Sequence, residues 1–138
     1  MHSILRSIGA VLAGAIAAIA LSLATDAAMH AMHFFPPIGQ PMTDPRLLAL
    51  ATTYRTIYGV LGGYVTAWIA PSRPMLHAFI LGIVGEIASI AGVVATWNDT
   101  DKYGPHWYPI ALVVLALPPA LLGAWIYERR ALRRLFSM

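Results

Sequence analysis

No cysteine occurs in the chain, which excludes disulfides, thiolate metal sites and cysteine nucleophiles. Charge is scarce as well: 11% of the residues are charged, against roughly 25% in soluble domains. Also missing are a Gly-rich phosphate loop, a zincin helix and a nucleophile elbow. These absences weigh against an enzyme without removing the class, since intramembrane enzymes can use scattered residues.

What the chain has is apolar sequence in long runs, with 59% hydrophobic residues over 138 positions. A helix needs about 20 apolar residues to cross about 30 Å of hydrocarbon. Four stretches reach or approach that length: Leu5–Ala24, Leu47–Ala70, Met75–Trp97 and Trp107–Tyr127. Continuous runs of this kind read as helices, because a spanning segment must satisfy its backbone internally and a barrel strand would be shorter and alternating. The expectation is an all-α, integral membrane four-helix bundle forming a single domain, followed by a basic tail over 128–138. Trp68, Trp97, Trp107, Trp125 and Tyr127 mark the span edges, where amphipathic rings sit at headgroup level.

The net charge of +3 is distributed unevenly. In a four-span arrangement Arg6, Arg73, Arg129, Arg130, Arg133 and Arg134 fall on one side, and Arg46 and Lys102 on the other. The positive-inside rule then places both termini and the Pro71–Pro74 turn in the cytoplasm, with the inner membrane of a bacterium as the location. Topology accounts for the charge excess, so a nucleic-acid partner is not needed to explain it. Arg6 before an apolar run, with Ser22 and Ala24 beyond it, also fits a cleaved signal peptide. The run is long for a signal peptide, and the orientation of the other helices is the same under either reading.

Small residues recur at helical spacing: Ala10, Gly14 and Ala18, then Gly59 and Gly63, then Gly85 and Ser89. They suit close helix packing inside one bundle, with homo-oligomerisation as the alternative. Pro118 and Pro119 are expected to bend the fourth helix, because each removes a backbone donor. Ala67-Trp68-Ile69 is echoed by Ala124-Trp125-Ile126, as if the second helix pair repeated the first.

Two charges lie inside apolar runs, Arg55 and Glu86. On insertion scales each costs about 2.5–3.5 kcal/mol at a helix centre, which calls for a partner or water. Counted from the cytoplasmic ends of neighbouring helices, their depths differ by only about 6 Å. An Arg55–Glu86 pair is therefore expected, as a register-fixing contact or as a binding or relay site, with Tyr54, Tyr58 or Tyr64 as hydrogen-bond neighbours. Beyond the first span, Asp26, His30 and His33 share one helical face if that helix continues, and His106 emerges on the same side. Imidazoles and a carboxylate suit a divalent metal such as zinc, although interfacial residues of these types are common without one. No other cofactor is indicated. Arg129, Arg130, Arg133 and Arg134 beside Leu132, Leu135 and Phe136 suit a short helix lying on the inner leaflet, facing anionic lipid.

Tyr54–Ala124 resembles a group of small uncharacterised four-helix bacterial membrane proteins. The likeness is carried by Tyr54-Arg55, Gly62-Gly63-Tyr64, Ala70-Pro71, Arg73-Pro74-Met75, His77, Trp107-Tyr108-Pro109 and Leu117-Pro118. It covers about half the chain, implies the same bundle and brings no activity with it. Three function classes stay open. The first is a non-catalytic accessory or interaction bundle, working with the bilayer and with a membrane-protein partner or a second copy. The second is an oligomeric small-solute or ion pathway using Glu86 and Arg55. The third is a metal-binding protein or enzyme using Asp26, His30 and His33.

Overall fold

The computed structural model describes residues 2–138, and all regular structure among them is helical. The helices are α1 (His2–Ala31), α2 (Pro45–Ile69), α3 (Pro74–Thr96), the single turn α4 (Thr100–Tyr103), α5 (Trp107–Val114) and α6 (Leu117–Phe136). Three stretches are long and apolar enough to cross a membrane: His2–Ala31, Pro74–Thr96 and Trp107–Phe136.

Local chemistry sets the helix ends. Asp44 caps α2 by accepting the Arg46 N–H at 2.9 Å, and Pro45 opens the helix where no donor is needed. At the other end of α2 the Ile69 carbonyl accepts from Arg6 Nε at 2.9 Å, so a basic side chain of α1 satisfies an orphan acceptor. The turn to α3 passes through Arg73 in a left-handed conformation (φ 45°) immediately before Pro74. Between α5 and α6 the helix breaks at Leu115 and Ala116, just before Pro118 and Pro119. The expected bend is thus a local interruption, located where the prolines cannot donate to the preceding turn.

Contacts fix the directions. Arg6 meets Ile69, Thr66 meets Ala10 and Thr25 meets Tyr58, so α1 and α2 are antiparallel. Ser7 meets His77 and Gly14 faces Leu81, so α3 runs with α1. Gly82 faces Leu117 while Ala78 packs with Ala124, so α6 runs against α3 and with α2. One end of the bundle therefore gathers the N-terminus, the 70–73 turn and the C-terminus; we call it the basic end. The other, the loop end, carries the 32–44 and 97–106 connections.

α2 makes the most extensive contacts, against α1 and α6. They are close because glycines remove the side chains between backbones. A Cβ on Gly63 would sit 2.1 Å from the Ala120 carbonyl oxygen, and one on Gly123 2.0 Å from that of Val60. Gly14 and Gly62 meet in the same way on the α1 side, beside buried Thr66, whose hydroxyl donates to the Ala10 carbonyl at 2.9 Å. The echoed tripeptides take matching places: Ala67 and Ala124 are both buried against Ala78, and Trp68 and Trp125 are both exposed.

Packing is uneven along the axis. Beyond Gly85, α3 keeps α5 on one side, while Ile87, Ala88, Ile90, Gly92 and Val94 are exposed. Two hollows flank this half of α3, of about 310 Å³ and about 290 Å³, and both are bordered by Ala88, Ser89 and Leu112.

Candidate functional site

α1 does not stop at Ala24. It runs on to Ala31, which carries Asp26 to the loop end beside α2. There the Tyr54 hydroxyl donates to one Asp26 oxygen, and Arg55 forms a salt bridge with the other. Next to Asp26 on α1, Thr25 donates to the Leu21 carbonyl at 2.8 Å. Its single proton is then committed, so the Tyr58 hydroxyl donates to Thr25 Oγ1 at 2.7 Å. The Arg55 Nε is buried and has no partner among the described residues.

The first connection closes over this group. Phe35 is 4% exposed and packs on Ala51 and Tyr54, with Met29, Met42 and Tyr108 around them. His30 holds the loop in place, donating from Nδ1 to the Pro36 carbonyl at 2.7 Å and meeting Phe35 edge to face. Gly104, at φ 86°, lets the second connection approach Met42 and Leu48. From the bundle side the larger hollow reaches Arg55. It is lined by Ser22 on α1, Thr56 and Gly59 on α2, and Ser89 on α3. Exposed Ile19 and Leu23 face exposed Val84 and Ala88 across its rim, so it opens sideways between α1 and α3.

Several expectations are corrected here. Arg55 pairs with Asp26, and the structure shows no Arg55–Glu86 contact; the salt bridge with Asp26 is the only one among the described residues. Register explains the choice. Taking Arg6 and Ile69 as level, Asp26 stands about 30 Å and Arg55 about 21 Å above them at roughly 1.5 Å per residue. A long side chain pointing toward the helix end spans the difference. Glu86 has a suitable depth but the wrong direction: Gly85 and Ser89 line the hollow that Arg55 reaches, and Glu86 does not. Glu86 is partly buried and has no hydrogen-bond or ion-pair partner among the described residues. Of the tyrosines named beside Arg55, Tyr54 and Tyr58 belong to the cluster, whereas Tyr64 is at the basic end against Tyr127.

The metal set is not assembled. Among the described residues no three His, Cys, Asp or Glu side chains are placed to hold an ion. Asp26 is occupied by Tyr54 and Arg55, and His30 by Pro36. His33 lies beyond the end of α1, with φ 61°. His106 stacks on Trp97 at 3.6 Å and donates to its carbonyl at 2.9 Å. The tail is not a separate surface helix either, because α6 continues without a break to Phe136.

His77, to which the sequence reading gave no role, is 7% exposed and pins α3 to α1. Its Nδ1 donates to the Arg73 carbonyl at 3.0 Å, which leaves Nε2 of the neutral ring to accept from the Ser7 hydroxyl at 2.8 Å. A histidine four residues after a turn and level with a serine on the first helix was the available signal.

These features define an all-helical chain with three helices fit to cross a membrane and a capped acid–arginine–tyrosine cluster at one end. No family model, curated protein or solved structure matches it.

Proposed function

We propose that the chain is a four-span protein of the bacterial inner membrane with both termini in the cytoplasm, and that it works without catalysis, by holding another membrane helix against the loop-end half of α3. Support for a crossing by α2 comes from its neighbour: α2 lies alongside α1 from Arg6–Ile69 to Asp26–Tyr54 and so shares its depth. Its polarity is turned inward. Thr52, Thr53 and Thr56 return their hydroxyls to carbonyls four residues back, Arg55 goes to Asp26 and Tyr58 to Thr25. The cytoplasmic orientation rests on the arginines gathered at the basic end.

The observation that carries the interaction reading is Glu86. It sits nine residues above His77, about 14 Å into the span, with no partner among the described residues. A carboxyl at that depth is costly alone, and a second helix bearing a donor would relieve the cost. The adjoining face is uncovered: Ile87, Ile90 and Val94, on the same side of α3, are exposed.

A photo-crosslinking residue at Ile90, one turn from Glu86 on the same exposed face, is expected to give one discrete protein adduct in intact membranes, lost in Glu86→Leu. Adducts with lipid only, or an adduct indifferent to Glu86→Leu, would contradict the reading. An adduct at twice the chain's mass would identify the partner as a second copy. The purified Glu86→Leu chain is also expected to melt at a higher temperature than the parent, because the replacement removes an unpaired polar group at membrane depth.

The hollow that ends at Arg55 favours a second reading, a pathway for a small solute or ion. Flux into reconstituted vesicles that is abolished by Ala88→Trp would move the proposal to that reading.

A further inference from the structure

At the basic end, α6 projects about 14 Å past Tyr127 to Phe136, and its four arginines form two pairs at spacing four. Residues so spaced share one helical face, and the two pairs are turned from each other by about 100°. The structure distinguishes them. Arg129 lies over the Trp125 ring at 4.9 Å. Arg130 and Arg134 instead border a hollow of about 330 Å³ between α6 and the end of α2, with Tyr64, Trp68 and Tyr127 on its other walls. The Arg130 guanidinium stands 5.8 Å from the Tyr64 ring, which Tyr127 holds edge to face at 5.6 Å. Among the described residues no acidic side chain lines the hollow, and neither arginine has a salt bridge.

We propose that this hollow is a binding site for the headgroup of an anionic phospholipid, with Arg130 and Arg134 receiving the phosphate. Two guanidiniums on one face offer paired N–H donors to phosphate oxygens. The other walls suit the rest of a lipid better than a soluble anion: Trp68, Leu135 and Met138 border the hollow and are exposed. Aromatic rings favour the depth at which headgroups give way to acyl chains. The site thus divides the basic tail into a recognising pair, Arg130 and Arg134, and a pair outside the hollow, Arg129 and Arg133. It rests on the proposed membrane location, but on neither the partner of α3 nor the orientation.

The test uses the purified full chain in detergent, where orientation plays no part. Phosphatidylglycerol and phosphatidylcholine of matched acyl chains are titrated separately and bound lipid is counted by native mass spectrometry. Phosphatidylglycerol is expected to be retained and phosphatidylcholine not. The double variant Arg130→Gln/Arg134→Gln is expected to raise the phosphatidylglycerol Kd about thirtyfold, from the usual contribution of two basic residues near anionic lipid. Arg129→Gln/Arg133→Gln, of identical net charge, is expected to leave the Kd close to that of the parent, and Arg130→Lys/Arg134→Lys to keep most of the binding. Equal losses in the two glutamine variants would overturn the site in favour of diffuse attraction. Equal retention of phosphatidylcholine would overturn the headgroup assignment. Displacement of the lipid by millimolar inorganic phosphate would make free phosphate the occupant instead.

Discussion

Replacing Gly63 by Ala is expected to force α2 and α6 apart and to lower the thermal stability of the purified protein sharply. The added Cβ would lie 2.1 Å from the Ala120 carbonyl oxygen and 2.7 Å from its Cα. Those atoms are helix backbone, in the first turn of α6, so no rotamer change relieves the clash. Overpacking a core costs about 1–3 kcal/mol, and a backbone-on-backbone clash belongs at the upper end of that range or beyond. Gly123→Ala, with its Cβ 2.0 Å from the Val60 carbonyl oxygen, should behave alike. Gly9 and Gly92 provide the control, since nothing lies within 4 Å of either added Cβ. There alanine removes only the conformational cost of glycine and should stabilise by about 0.5–1 kcal/mol. Thermal unfolding of the four variants in one detergent checks this, and Gly63→Ala as stable as Gly92→Ala would remove the basis for the α2–α6 contact.

The second large effect concerns Asp26 and Arg55. Arg55→Leu leaves the Asp26 carboxylate with only the Tyr54 hydroxyl, and Asp26→Leu leaves a guanidinium with no anion. Breaking a buried pair from one side costs about 3–5 kcal/mol. The two side chains keep 32% and 22% of their surface, so the loss should fall near about 3 kcal/mol, at the low end. The double variant Asp26→Leu/Arg55→Leu should recover most of that loss, because neither charge then stands alone. Measured as a cycle, Asp26 and Arg55 should be strongly coupled, and Arg55 and Glu86 additive within about 0.5 kcal/mol. Coupling confined to Arg55 and Glu86 would reverse the assignment.

The contrast between those two partners shows how far the sequence could be read. Length and hydropathy identify where apolar helices run, and Pro118 with Pro119 marks the break between α5 and α6. Depth could also be counted, and counting put Arg55 near Glu86. A helix has a direction around its axis as well as a height, and apolar runs this uniform do not reveal which side of α2 meets which neighbour. The count needed was the one between α1 and α2, where Asp26 and Arg55 both fall toward the loop end. It was obscured because α1 continues seven residues beyond Ala24, the edge that hydropathy suggests.

Small residues at spacing four identified the packing faces but not their partners. Gly14 faces Gly62 and Thr66, and Gly63 faces Ala120, whereas a Cβ on Gly85 would meet only the Ala116 Cβ, at an ordinary 3.6 Å. The histidines illustrate the opposite limit. Asp26, His30 and His33 have ligand-like spacing, yet α1 ends at Ala31 and His33 leaves the face it would need. Phe35, in a proline-rich connection, carries no sequence mark of the cap it forms over Tyr54.

The most direct measurement is the side of the membrane on which each connection lies. The chain has no cysteine of its own, so Gln40→Cys, Ser72→Cys, Asn98→Cys and Ser137→Cys can each be labelled alone with a membrane-impermeant maleimide, before and after lysis. Gln40→Cys and Asn98→Cys should react in intact cells with the outer membrane removed, and Ser72→Cys and Ser137→Cys only after lysis. Reaction of Gln40→Cys and Ser72→Cys from the same side would mean that α2 does not cross, and the four-span bundle would be wrong.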